Sequence, residues 1–388
     1  MPPLHPVLAA LPEYPIVRVE RAKAELRARG REVFDFGTGD PLEPTPEFVQ
    51  EALRVGLPPV CRYPKPRGSE ALREAAAGYV ERRFGVSLDP EREVLSSRGS
   101  KEAIFHLPFA FLDPPGGRDH VVFPTPGYTV YASGTRFAGG VAHGVALRPE
   151  NDFLLEPEDL PAEVRERLAI LWINYPHNPS GRLAPADYLQ RLATFAAEED
   201  VLVVSDECYV DVYAQERPRS LLEFGRKNVL ALYSASKRSG MTGYRAGAIV
   251  GDPELIASYA RLRPNLGVAN PVFVEAAAAA AFNNDAHADT RRGVFSAKRA
   301  AFTRFFDEVG IERVGGDATF FLWLRAPGGC ELAYTEALLE AGGIVTIPGS
   351  YFGAGGEGFF RVALVPDLAE CERAIELWRG LLPSLPGA

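Results

Sequence analysis

The chain has 388 residues, 46 % hydrophobic and 24 % charged, with a formal net charge of −9. That length exceeds one core of usual size, so a large domain with a smaller partner is expected. The acidic balance and the lack of a long basic run argue against nucleic-acid binding, and no stretch approaches the roughly 18 consecutive apolar residues of a membrane span.

The opening MPPLHPVLAALPEYP has neither a basic n-region nor a long apolar core, so no signal peptide is expected. Cys61, Cys208, Cys330 and Cys371 form no CxxC pair, and the six histidines are scattered. Reduced thiols in a cytoplasm and no metal site are the expectation. From about residue 92, apolar runs alternate with helical segments. The runs are EVLSS (93–97), HVVFPTP (120–126), LAILWINYP (168–176), VLVVSD (201–206), VLALYS (229–234) and AGAIVG (246–251). Few polar residues interrupt them, as expected of strands covered on both faces. Between several of them lie helical stretches at 101–112, 185–200 and 253–263, which gives the α/β pattern of a mostly parallel central sheet flanked by helices. The end of the chain differs. A long helical stretch from about 270 to 308 leads to FFLWL, ELAYTEALLEAGG, FFRVALV and a last helix. This predicts a smaller α/β domain of residues 1–45 and 286–388, beside a large domain of residues 46–285.

In an open α/β sheet, ligands bind beyond the carboxyl ends of the strands. After EVLSS comes Arg98-Gly99-Ser100-Lys101, a helix start whose N–H groups could cradle an anion or simply close a turn. After HVVFPTP comes Gly127-Tyr128. LAILWINYP leads to His177-Asn178-Pro179, where Asn178 is a ligand contact or ordinary turn chemistry. VLVVSD ends on Asp206, a carboxylate for a ligand or a helix N-cap, with Tyr209 three residues on. VLALYS leads to Lys237, one of only six lysines, with Arg245 eight positions further. Each residue alone has a bland reading. Together they match one ligand with a phosphate, a flat cationic ring, a phenolic oxygen and an aldehyde: pyridoxal phosphate.

NYPHNPSG (174–181), SDECY (205–209) and SASKRSGMTGYRAG (234–247), in this order, resemble the class I/II aminotransferases of the fold-type I pyridoxal-phosphate enzymes. FGTGDPLEPTP (36–46) looks like that family's N-terminal substrate loop and RYPKPRGSEALREA (62–75) like its next motif. The resemblance covers nearly the whole chain. It implies that Lys237 carries the cofactor as a Schiff base and then moves a proton on the substrate. It also implies that Asp206 pairs with the ring nitrogen, that Asn178 and Tyr209 bind the ring oxygen, and that Tyr128 stacks on the ring. Gly99, Ser100, Lys101, Ser234 and Arg245 would hold the phosphate. Tyr63 would reach the phosphate of the other subunit of a homodimer with shared active sites. Arg361 would clamp the substrate α-carboxylate, with Gly39 and Asn174 beside it.

Several stretches, among them FNNDAHADTRRGVFSAKRAAF (282–302) and VALVPDLAECERAIE (362–376), look like one subgroup, the N-succinyl-LL-diaminopimelate aminotransferases of lysine biosynthesis. The expected reaction is then amino transfer between that substrate pair and glutamate/2-oxoglutarate. A long succinylated substrate wants a second cation, for which Arg18, Lys65, Arg67 and Arg98 are candidates. Alternatives are an aspartate or aromatic aminotransferase, or a C–S lyase of the same fold.

Overall fold

The computed structural model describes residues 2–11 and 15–387. Residues 1, 12–14 and 388 lie outside them; all five belong to the expected small domain, and residues 1 and 12–14 also to the opening stretch read for a signal peptide.

Seven strands form the main sheet: β1 (Val94–Ser97), β2 (His120–Thr125), β3 (Val141–Ala146), β4 (Leu168–Ile173), β5 (Leu202–Asp206), β6 (Val229–Ser234) and β7 (Gly247–Gly251). Their spatial order is β1-β7-β6-β5-β4-β2-β3. All run parallel except β7, which is antiparallel to both β1 and β6. The apolar runs arise because alternate residues of each central strand enter opposite cores. In β4, Leu171 and Ile173 pack into one core while Ile170 and Trp172 pack into the other. In β6, Ala231 and Tyr233 face one side and Leu230 and Leu232 the other.

A second sheet lies near the end of the chain. It is antiparallel, with order β10-β11-β9-β8 for β8 (Arg313–Val314), β9 (Phe321–Arg325), β10 (Ile347–Pro348) and β11 (Phe359–Ala363). Phe360 and Val362 of β11 turn into a core with Phe302, Tyr334 and Trp378, and Arg361 between them faces the other way. The N-terminal segment joins this region. Phe34–Asp35 pairs in parallel with Ile344–Val345, and the Arg31 guanidinium donates to the Ala341 carbonyl at 2.7 Å.

Two elements differ from the sequence reading. Strand β3, VAHGVA, was not expected. It is an edge strand and, unlike the other edge strand β1, is partly exposed along its length, and so lacks an apolar run. The stretch at 270–308 is two helices, Val272–Phe282 and Ala286–Val309, separated by Asn283, Asn284 and Asp285. Among the described residues no helix is long and apolar enough to cross a membrane.

Candidate active site

The carboxyl ends of β1, β2, β4, β5 and β6 open on a cavity of about 470 Å³, within the size range of small-ligand sites. Ser100, Lys101, Tyr128, Asn174, Asn178, Asp206, Tyr209, Ser234, Lys237, Arg245, Gly39 and Arg361 all line it. Gly99 stands just behind, at the start of helix Ser100–Phe111. Tyr63 does not line the cavity; it is fully exposed. The sequence reading missed Thr38, Asp40, Cys208, Ser236, Thr242, Phe321 and Phe352, which also line the cavity. Thr38 and Asp40 stand in the FGTGDPLEPTP loop, and Cys208 and Ser236 just past the VLVVSD and VLALYS runs, while Phe321 comes from the second sheet.

One end of the cavity is cationic. Gly99 has φ +77° and ψ 162°, a backbone conformation that favours glycine, and a Cβ there would meet the end of the Arg245 guanidinium at 2.7 Å. Arg245, itself at φ +55°, donates to the Thr242 carbonyl at 3.0 Å and the Arg98 carbonyl at 3.2 Å. Ser234 and Ser236 lie beside it, the Ser234 hydroxyl accepting from the Ser236 N–H at 3.2 Å. Burial and the neighbouring Arg245 hold the Lys101 ammonium below its ordinary value. Two cations crowded at a helix start favour an anion between them.

At the floor, Asp206 is buried. Its Oδ2 accepts from the Tyr131 hydroxyl at 3.1 Å, and its Oδ1 from the Cys208 N–H at 3.4 Å. Burial pushes its carboxyl up to about 6, against these hydrogen bonds, which favour the anion. Neither donor carries a charge, so a cationic ring nitrogen would complete the site. Tyr131, which stacks on Trp172, is a further residue the sequence did not single out. Lys237 follows β6 on a one-turn helix, and its amine donates to the Gly39 carbonyl. Burial pushes this amine down to about 8.

Arg361 also lines the cavity and is 6 % exposed. Its guanidinium lies 4.1 Å from the centre of the Phe321 ring and 4.6 Å from that of Phe352. One amino group donates to the Gly37 carbonyl at 2.7 Å, the other to the Asn178 Oδ1 at 3.0 Å. Gly39 and Asn174 line the same cavity as Arg361. The glycine touching Arg361 is Gly37, while Gly39 meets Lys237. The asparagine beside Arg361 is Asn178. Asn174 is occupied elsewhere, donating to the Asp206 carbonyl at 2.7 Å and accepting from the Asn178 N–H at 3.0 Å. None of Arg18, Lys65, Arg67 and Arg98 lines the cavity.

An anion cradle, a buried carboxylate and a buried amine of lowered pKa, in one cavity at the ends of parallel strands, define a site for a phosphorylated aldehyde cofactor. The family model for aminotransferases of class I and II matches residues 31–377, and the chain belongs to that family. Class I/II aminotransferases of this fold use pyridoxal phosphate, and the donor set above fits it at each end. Among similar curated relatives, the LL-diaminopimelate aminotransferase of Nitratidesulfovibrio vulgaris is 38 % identical over 377 residues, covering 95 % of this chain and 96 % of the relative. That of Aquifex aeolicus is 37 % identical over 381 residues, covering 96 % and 98 %. A solved mutant of Thermus thermophilus aspartate aminotransferase superposes with a TM-score of 0.90 at 29 % identity, covering 98 % of this chain and all of that one. The relatives are named for diaminopimelate without the succinyl group, which corrects the expected subgroup.

Proposed function

We propose that this aminotransferase exchanges an amino group between free LL-diaminopimelate and the glutamate/2-oxoglutarate pair. The observation that carries the choice is the charge on the cavity lining. Among the described residues, the cations lining it besides Lys237 are Lys101 and Arg245 at the phosphate end and Arg361 at the other, whereas Asp40 adds an exposed carboxylate. A free distal ammonium complements that carboxylate; a distal succinyl carboxylate opposes it. The names of the curated relatives point the same way.

When bound, pyridoxal phosphate supplies an aldehyde that takes up amino groups and a protonated ring that accepts electrons. In our reading Asp206 keeps the proton on the ring nitrogen. Asn178 and Tyr209 hold the ring oxygen, and Tyr128 covers the ring face. Ser100, Lys101, Ser234 and Arg245 hold the phosphate. Arg361, steadied by Asn178, takes the α-carboxylate of donor and acceptor alike. Lys237 holds the cofactor and, once released, moves the proton at the substrate Cα, for which an amine of pKa near 8 is suited.

We further propose the division into residues 46–285 and 1–45 with 286–388, supported by the separate core around Phe302, Phe360 and Trp378. A homodimer is supported by exposed Leu42, Val55, Leu57, Val60 and Tyr63. Tyr63 would reach into the site of a second copy. The four free cysteines suit a reducing cytoplasm.

The test is a panel of amino donors against 2-oxoglutarate: LL-diaminopimelate, its N-succinyl derivative, aspartate and aromatic amino acids. The free diamino acid should have the highest kcat/KM, by about tenfold or more. A preference for the succinylated donor overturns the proposal. A preference for aspartate supports the second reading, which rests on the likeness to the Thermus structure.

A further inference from the structure

The loop that closes over Arg361 and Lys237 rests on an ion pair outside the cavity. Lys23, on helix Pro15–Ala28, is 4 % exposed. Its ammonium meets the Asp35 Oδ2 at 2.6 Å and also the Glu20 carboxylate. Asp35 uses its remaining capacity on the loop that follows. Its Oδ1 accepts from the Gly37 N–H at 2.9 Å and the Thr38 N–H at 3.1 Å, and its Oδ2 from the Thr38 hydroxyl at 3.0 Å. One carboxylate therefore closes the turn and ties it to the helix.

That turn delivers two carbonyls into the site. Gly37 accepts from Arg361 at 2.7 Å, and Gly39 accepts from Lys237. The loop has little room to shift, since a Cβ at Gly37 would lie 2.9 Å from the Val345 side chain and one at Gly39 would lie 3.1 Å from the Phe321 ring. The Asp35 strand is itself paired to Val345. A displacement of the Asp35 carboxylate therefore passes through the Gly37 carbonyl to the guanidinium.

We propose that Asp35, anchored by Lys23, is a positioning residue that sets the Arg361 guanidinium and hence the capture of the substrate carboxylate. Neither residue lines the cavity, and neither touches the reacting atoms. The proposal rests on the reading of Arg361 as the carboxylate clamp.

The test uses the holoenzyme and two variants, Asp35→Ala and Asp35→Asn. In the second, the side-chain oxygen can still cap the turn, while its NH2 group faces the Lys23 ammonium. In Asp35→Ala, KM for both the amino donor and 2-oxoglutarate should rise about tenfold, with a smaller change in kcat. The absorbance of the bound cofactor should be retained. Asp35→Asn should show a smaller rise in the same direction, and it serves alone if the alanine variant does not fold. Combined with Arg361→Lys, the fold-changes should be less than multiplicative, because both act through one group. Binding of glutarate, an unreactive dicarboxylate, is measured calorimetrically in parallel and should weaken by a similar factor. This reads carboxylate capture even if no donor in the panel is transaminated, so a failure of the functional reading stays distinct. A lower Tm with KM and glutarate affinity within twofold of wild type, or fully multiplicative effects, would overturn the proposal.

Discussion

Replacing Arg361 by lysine tests the substrate end of the site most directly. The substitution keeps a positive charge but loses the planar fork. Arg361 now reaches two acceptors, the Gly37 carbonyl at 2.7 Å and the Asn178 Oδ1 at 3.0 Å, while its plane lies between Phe321 and Phe352. That packing fixes the guanidinium before substrate arrives, so little rotamer freedom is lost on binding. A carboxylate held by two parallel charge-assisted bonds keeps about one of them with lysine. The loss is then about 1.5–3 kcal/mol, or about ten- to 150-fold in kcat/KM. Because the α-carboxylate is common to amino donor and oxo acid, both half-reactions should suffer alike, chiefly through KM. Cofactor affinity, read from the absorbance of the bound cofactor, should change little, since Arg361 bonds Gly37 and Asn178, whereas Arg245 bonds Ser236, Thr242 and Arg98. Steady-state kinetics with both substrates varied decide the matter. A fall of less than threefold for both substrates would refute the assignment.

Lys237 and Gly99 give two independent checks on the cofactor end. Burial sets the Lys237 amine near 8, well below the 10.5 of a solvated lysine, and only the neutral amine attacks an aldehyde. Cofactor uptake by cofactor-free protein should therefore accelerate about tenfold per pH unit up to about 8 and then level off. A rise continuing to about 10.5 would mean a solvated lysine, and covalent uptake by Lys237→Ala would dismiss the residue altogether. Gly99→Ala must place a side chain at φ +77°, costing about 1–3 kcal/mol. Its Cβ would also lie 2.7 Å from the Arg245 guanidinium, so the Kd for pyridoxal phosphate should rise about tenfold or more. An unchanged Kd in a cofactor titration would show that this turn is not part of the phosphate cradle.

What the sequence made legible follows from where each residue stands. Strands β2, β4, β5 and β6 announce themselves because both faces are covered, and the residues at the end of each run are carried to the cavity by the parallel topology. Lys237, Asp206, Asn178 and Tyr128 are found that way. Edge strand β3 escapes because one side of it is open. Tyr131 escapes because it reaches Asp206 from a helix, 75 residues away in the chain, and no local pattern encodes that contact. The two asparagines show the limit most clearly. Asn174 and Asn178 are the same residue type, four positions apart in one loop, and either could serve Arg361 as far as spacing goes. The distinction comes from hydrogen-bond accounting. Asn174 follows directly on β4, where its NH2 group is taken by the Asp206 carbonyl and its oxygen by the Asn178 N–H. It therefore shapes the loop, and the Asn178 side chain it thereby positions is the one left to meet the guanidinium 183 residues further along. A buried amide is committed by its partners, and those partners are fixed only once β4 and β5 lie side by side.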